Sequence, residues 1–135
     1  EMHRAYMRDL PAIDIVASGL HDSVGLYVRP RPEQRETCLR WMRTFGIEDL
    51  ADRTFLKLSS GEQRLVLVCR AFVKSPDLLI LHEPLHGLDE RNRQMVRSII
   101  HDYCANPDIT LVMVTHYPEE LPDNITHTLR LKRNT

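Results

Sequence analysis

Residues 78–89, LLILHEPLHGLD, hold the side chains for two different chemistries. His82-Glu83-Pro84-Leu85-His86 fits the H-E-x-x-H pattern, in which two histidines grip a zinc ion and the glutamate activates water. The same residues also read as an apolar strand, Leu78 to Leu81, that runs into the acidic turn HGLD. Stereochemistry separates the two readings. The zinc motif needs both histidines on one face of a continuous helix. Pro84 lies between them, lacks the N–H of a helical hydrogen bond, and biases Glu83 toward extended backbone. Zinc hydrolysis is therefore not expected, and the two histidines read as unrelated loop residues.

The strand reading says where chemistry belongs. In open parallel α/β sheets, ligands bind beyond the carboxyl ends of the strands. Glu83 stands at that end of the 78–81 run, and His116 stands in the equivalent place after TLVMVT. A carboxylate and an imidazole at two strand tips could orient a water and sense a phosphate. Each also has a bland explanation: a glutamate before proline as a solvated turn residue, a histidine after threonine as a structural hydrogen-bonding group.

A third element is LSSGEQ, residues 58–63. Ser59 with Glu62, and Ser60 with Gln63, both have capping-box spacing, in which a serine hydroxyl satisfies free N–H groups at a helix start. A cap does not need Gly61. A phosphate would, because glycine lets a ligand approach the backbone where the helix N-terminus offers donors to an anion.

These groups must be carried by a scaffold, and composition bounds it. At 135 residues the chain is about one domain with room for a real core. Lys and Arg number 18 against 19 Asp and Glu, interspersed to a formal charge of −1, so there is no electrostatic footprint for nucleic acid. Cys38, Cys69 and Cys104 are odd in number and widely separated, which fits reduced thiols in the cytoplasm better than a disulfide framework. No apolar run approaches the roughly 20 residues that cross a bilayer, and no secretory signal is evident. The chain opens on Glu1 rather than methionine, so it is expected to be cut from something longer.

The pattern predicts helix around AIDIVASGL, a break at VRPRPEQ, and a helix over 33–45 ended by Gly46. From LSSGEQ onward it predicts helix at 61–74, strand at 78–81, helix at 90–105, strand at 110–115, and a last strand near 126–131. Helices dominate residues 1–57. Strands alternating with helices over 58–135 imply a parallel sheet and an α/β fold.

LSSGEQ at 58–63, LLILHEP at 78–84, HGLD at 86–89 and VTH at 114–116 stand in the order and spacing of the nucleotide-binding domain of ATP-binding cassette (ABC) proteins. They resemble its signature motif, Walker B strand with catalytic glutamate, D-loop and switch histidine. Four motifs in register over about sixty residues are specific where one alone is not. The flanks HRAYMRDLPAIDIVASGLHDSVGLY and HYPEELPDNITHTLRL are similar to the helical subdomain and C-terminal end of molybdate-transport-type ATP-binding proteins.

The resemblance implies a partial P-loop NTPase domain with a helical subdomain at 1–57. It implies ATP and Mg²⁺ as cofactors of the longer parent, with a second nucleotide-binding domain and a membrane permease subunit as partners. The place it implies is cytoplasmic, peripheral at the inner face of the cell membrane. Glu83 would polarise the attacking water and His116 would contact the γ-phosphate. Ser59, Ser60, Gly61 and Glu62 would close over an ATP held by the opposite domain, and Asp89 would couple the two sites. The parent would energise transport, with molybdate as a candidate cargo; the alternative is a non-transport ABC protein whose degenerate domain regulates or scaffolds.

Two departures follow from the same comparison. No G-x-x-x-x-G-K-[ST] loop occurs, because none of the glycines at 19, 25, 46, 61 and 87 is followed by lysine. The Walker B carboxylate is replaced by His82, a poor donor for the hard Mg²⁺ ion. Hydrolysis at this chain's own site is expected to be impaired, and the lone chain is expected to be inactive.

Overall fold

A computed structural model describes residues 10–20 and 30–129. Two parallel strands, β1 (Leu78–His82) and β2 (Thr110–Val114), pair in the register Leu78 with Thr110 through His82 with Val114. The ladder runs past both ends: Thr110 N donates to Asp77 O at 2.7 Å and Glu83 N to Val114 O at 2.7 Å. Parallel neighbours need a crossover, and helix α4 (Glu90–Tyr103) supplies it. This β1–α4–β2 unit brings the carboxyl ends of both strands to one edge. The parallel pairing agrees with the α/β reading.

The remaining helices form a layer against one face of the sheet. Helix α1 (Ala12–Ala17) is too short to persist alone, yet five of its residues are buried: Ala12, Ile13, Ile15, Val16 and Ala17. It is wedged between α2 (Pro32–Thr44) and α3 (Ser60–Phe72). Backbone bonds hold its entry, with Ala12 N donating to Arg53 O and Phe55 N to Leu10 O. Just after α1 the chain passes so close to α3 that a Cβ on Gly19 would lie 2.4 Å from the Arg70 carbonyl oxygen. Only glycine fits there.

Helix α2 begins with Pro32 in its first turn, where a missing N–H is harmless. It ends where Gly46 takes a left-handed φ of 72°, so Gly46 N can reach Arg43 O and Ile47 N can reach Met42 O. Its buried face brings Trp41 and Phe45 against Phe72 of α3 and Tyr103 of α4. Ring centroids lie 5.2 Å (Trp41–Phe72), 5.4 Å (Phe45–Phe72) and 5.1 Å (Phe72–Tyr103) apart. Tyr103 satisfies its hydroxyl on Pro76 O at 2.7 Å. One apolar cluster runs from α1 through α3 to Leu79, Leu81, Val96 and Ile100. Cys38 and Cys69 are buried within it as free thiols, and Cys104 is half-buried.

The sheet's other face is apolar and exposed among the described residues, with Leu78 52%, Ile80 61%, Val112 45% and Val114 45% accessible. Parallel strands read as unbroken apolar runs because both faces are suited to cover, and LLIL and LVMV do so. One expected element is corrected. Residues 126–129 form no strand, and 130–131 lie outside the described residues. After β2 the chain is drawn onto α4 instead: Arg97 donates twice to Leu121 O, at 3.2 and 2.9 Å, and Asn124 Nδ2 donates to His101 O at 3.3 Å. Those contacts lead the segment off the sheet edge.

Candidate functional site

At the carboxyl edge of the sheet the segment 83–89 is a turn and not a helix, so His82, on β1, and His86, in the turn, do not share a helical face. The turn is pegged inward by Pro84, Leu85 and Leu88, all buried. Its bonds from His86 N to Glu83 O and from Leu88 N to Leu85 O, each 3.2 Å, reverse the chain. Reversal sets the backbone of Glu83. Proline biases the residue before it toward extended backbone, yet Glu83 has φ of 49°, in the left-handed region that a residue with a Cβ occupies at a cost. The geometry needed to sink Pro84 and Leu85 into the core outweighs the pre-proline bias.

That backbone aims Glu83 across the sheet edge at the residue after β2. Glu83 Oε2 stands 3.0 Å from His116 Nε2, and the carboxylate is only 14% exposed while the imidazole is 79% exposed. Adjacent parallel strands thus deliver an acceptor sheltered by the fold and an imidazole open to solvent. Such a pair can hold a water against the carboxylate and leave the outer edge of the ring free for an anion.

The start of α3 resolves the choice between overlapping capping boxes. Ser59 is the cap: its Oγ accepts from Glu62 N at 3.1 Å, and its own N donates to Glu62 Oε1 at 2.9 Å. Gln63 turns away and donates to Phe55 O and Leu58 O. The amides of Ser60 and Gly61 lie in the first turn, where an α-helix has no carbonyl for them. Asp89 caps α4, its Oδ1 accepting from Asn92 N at 2.8 Å. Among the described residues, the α3 start and the Glu83–His116 pair share no hydrogen bond or ion pair. They meet through the 83–89 turn: a Cβ on Gly61 would lie 3.7 Å from Gly87 O.

A family model described as ABC transporter matches residues 4–86. The chain belongs to the ABC transporter family. ABC transporter ATP-binding protein ModF of Escherichia coli (strain K12) is 39% identical over 129 residues, which are 95% of this chain and 26% of that protein. Uncharacterized ABC transporter ATP-binding protein YlmA of Bacillus subtilis (strain 168) is 37% identical over 90% of this chain and 47% of its own length. Molybdate import ATP-binding protein MolC of Haemophilus influenzae (strain ATCC 51907 / DSM 11121 / KW20 / Rd) is 28% identical over 90% and 48%.

The chain therefore spans between about a quarter and a half of these curated relatives. In structure it is similar to an ABC transporter in an inward-facing conformation, with a TM-score of 0.69 at 28% identity over 83% of this chain and 45% of that one. It also matches the dimeric structure of the bacterial ABC transporter cassette MJ0796, with a TM-score of 0.69 at 20% identity over 85% and 51%. The architecture is part of an ABC-type cassette.

Family membership raises the question of ATP and Mg²⁺, and the residues can be tested for each. The open first-turn amides of α3 beside a glycine suit a phosphate oxygen. The donors near β1 do not suit Mg²⁺, which favours oxygen ligands. His82 offers nitrogen, Asp89 is engaged in its cap, and Glu83 already faces His116. Among the described residues no group of three or more His, Cys, Asp or Glu side chains is arranged to hold a metal. No helix among them is long and apolar enough to cross a membrane.

Sequence reading passed over two residues at this edge. Thr115 Oγ1 donates to Glu120 Oε1 at 2.9 Å and accepts from Tyr117 N at 3.1 Å. The one sequence sign of this is Pro118, which opens a short turn two residues after the histidine.

Proposed function

We propose that this chain is the C-terminal part of the ATP-binding subunit of an ABC transporter, acting in the cytoplasm at the inner face of the cell membrane. We draw its domain boundary between residues 57 and 58, with the helical portion before it and the signature helix and C-terminal part of the ATPase core after it. The observation that carries the reading is the 3.0 Å approach of His116 to Glu83 at the carboxyl ends of two adjacent parallel strands. ATP supplies the transferable γ-phosphoryl group. Glu83 accepts hydrogen-bonding from the attacking water, and His116 contacts the γ-phosphate from the exposed side of the pair. Ser59, Ser60, Gly61 and Glu62 close the start of α3 over an ATP presented by a second cassette domain. Asp89, at the head of α4, links that closure to the turn bearing Glu83.

Molybdate is the cargo we favour, because MolC and the molybdenum import ATP-binding protein ModC of Mycobacterium tuberculosis (strain CDC 1551 / Oshkosh) carry it in their names. A membrane permease subunit would select it. His82 favours a second reading, a regulatory or scaffolding domain that binds in trans without turning over its own nucleotide, since the donors at β1 suit Mg²⁺ poorly.

The test uses capture in trans. No sequence in the chain cradles the β- and γ-phosphates, and a helix terminus contributes on the order of 1 kcal/mol to an anion, so the chain alone should show no ATP binding by calorimetry below millimolar concentration. A partner cassette domain with an intact phosphate-binding loop and bound ATP should capture it, and Ser59→Arg should abolish capture. ATP-independent capture, or micromolar ATP binding by the chain alone, would refute the proposal.

A further inference from the structure

His116 raises a problem of position. Its ring is 79% exposed, so packing does not hold it, yet its Nε2 stands 3.0 Å from Glu83. An exposed side chain keeps to one staggered well only while a partner stands within its reach, and a single contact to Glu83 holds the ring only if the turn beneath it does not move. Something else must fix the turn from which the ring projects.

The hydroxyl of Thr115, immediately before the histidine, is used in both directions. It donates to Glu120 Oε1 at 2.9 Å and accepts from Tyr117 N at 3.1 Å. The first bond spans the turn that contains His116; the second bends the backbone sharply around it. The far side is closed by Glu120 N to Tyr117 O at 2.9 Å and Leu121 N to Pro118 O at 3.1 Å. Leu121 O in turn receives both bonds from the Arg97 guanidinium on α4. His116 therefore sits on a closed loop with one end on β2 and the other on α4.

We propose that the Thr115–Glu120 hydrogen bond is a latch that positions His116 against Glu83. The inference rests on the reading in which Glu83 and His116 act together. Glu120 touches no reacting atom and is a positioning residue. Its carboxylate is the acceptor that locks Thr115, and the amide acceptor of glutamine can replace it, whereas alanine cannot. Serine can likewise replace Thr115, and valine, nearly the same shape without the hydroxyl, cannot.

The experiment measures the χ1 state of His116 directly, by three-bond couplings from backbone nitrogen and carbonyl carbon to the ring carbon in isotopically labelled protein. Wild type, Thr115→Ser and Glu120→Gln should give the couplings of a single rotamer. Thr115→Val and Glu120→Ala should give values averaged over the staggered wells, while the amide spectrum of α3 and β1 stays unchanged. Fixed couplings in both Thr115→Val and Glu120→Ala would overturn the latch and leave the Glu83–His116 pair standing. Averaged couplings in the wild type would overturn the pair and the latch with it. If Thr115→Val does not fold, Glu120→Ala, at a half-buried position outside the core, decides the question by itself.

Discussion

Replacing Glu83 by glycine and by alanine separates its backbone from its carboxylate. Both exchanges delete the contact with His116, which is worth about 0–1 kcal/mol with an imidazole 79% exposed, so that loss cancels between them. What remains is φ of 49°. A residue with a Cβ pays roughly 1–2 kcal/mol in the left-handed region, and glycine almost nothing. Glycine also gives the unfolded chain more freedom, which offsets about 0.4–1 kcal/mol. Glu83→Gly should therefore be more stable than Glu83→Ala by about 0.8 kcal/mol at the midpoints of these ranges, measured by urea unfolding followed in far-ultraviolet circular dichroism.

Gly61 is the control, since it lies in α3 with helical backbone and a Cβ there would meet Gly87 O at an ordinary 3.7 Å. Gly61→Ala should stabilise by about 0.5 kcal/mol, the opposite ordering. If Glu83→Ala equals or exceeds Glu83→Gly, the left-handed turn is not what presents the carboxylate, and the account of the site fails at its first step.

Gly19→Ala should destabilise by about 1–3 kcal/mol, seen as a lower melting temperature, because the new methyl would meet the Arg70 carbonyl, a backbone atom that cannot rotate away. Burial pushes the Cys38 thiol up to about 11 and the Cys69 thiol up as well. The native state then keeps protons that unfolded thiols lose near pH ~8.5. The Cys38 contribution is complete below that pH and is lost as pH rises toward about 11. Cys38→Ala should flatten that alkaline decline in urea midpoints; an unchanged slope would count against the burial. With a thiol-specific reagent at neutral pH, half-buried Cys104 should react first, and Cys38 and Cys69 only as fast as the protein opens.

Local chemistry made much of this structure readable. Helices α3 and α4 each begin at a side chain that caps its own helix, Ser59 and Asp89, and such signals lie within four residues of what they control. The strands are legible as short branched runs, and Pro84 sufficed to exclude a helix at H-E-x-x-H. What could not be read depends on contacts distant in sequence. The expected strand at 126–131 has the right residue types, but Arg97 and His101, more than a score of residues earlier, draw its approach onto α4.

The left-handed Glu83 follows from the burial of the two residues after it, which overrides a local bias. Ser59 and Ser60 offered equal boxes, and only the reach of Gln63 back to Phe55 O separates them. The pairing of Glu83 with His116 was visible as two strand ends, whereas the bond from Thr115 to Glu120 has no periodicity to announce it.

The aromatic cluster between the helical layer and α4 has an optical consequence. Trp41 is the chain's single tryptophan, and its indole lies 5.2 Å from the Phe72 ring, 6.0 Å from Tyr103 and 6.5 Å from Phe45. Those rings belong to, or directly follow, three different helices, so the fluorophore sits at the seam where α2 rests on the ends of α3 and α4. Separation of that seam would admit water to the indole and move its emission to longer wavelength, while a distortion confined to the edge bearing Glu83 would leave it dark to the probe. The protein thus carries an intrinsic spectroscopic marker that distinguishes undocking of its helical layer from rearrangement at its site, without an added label.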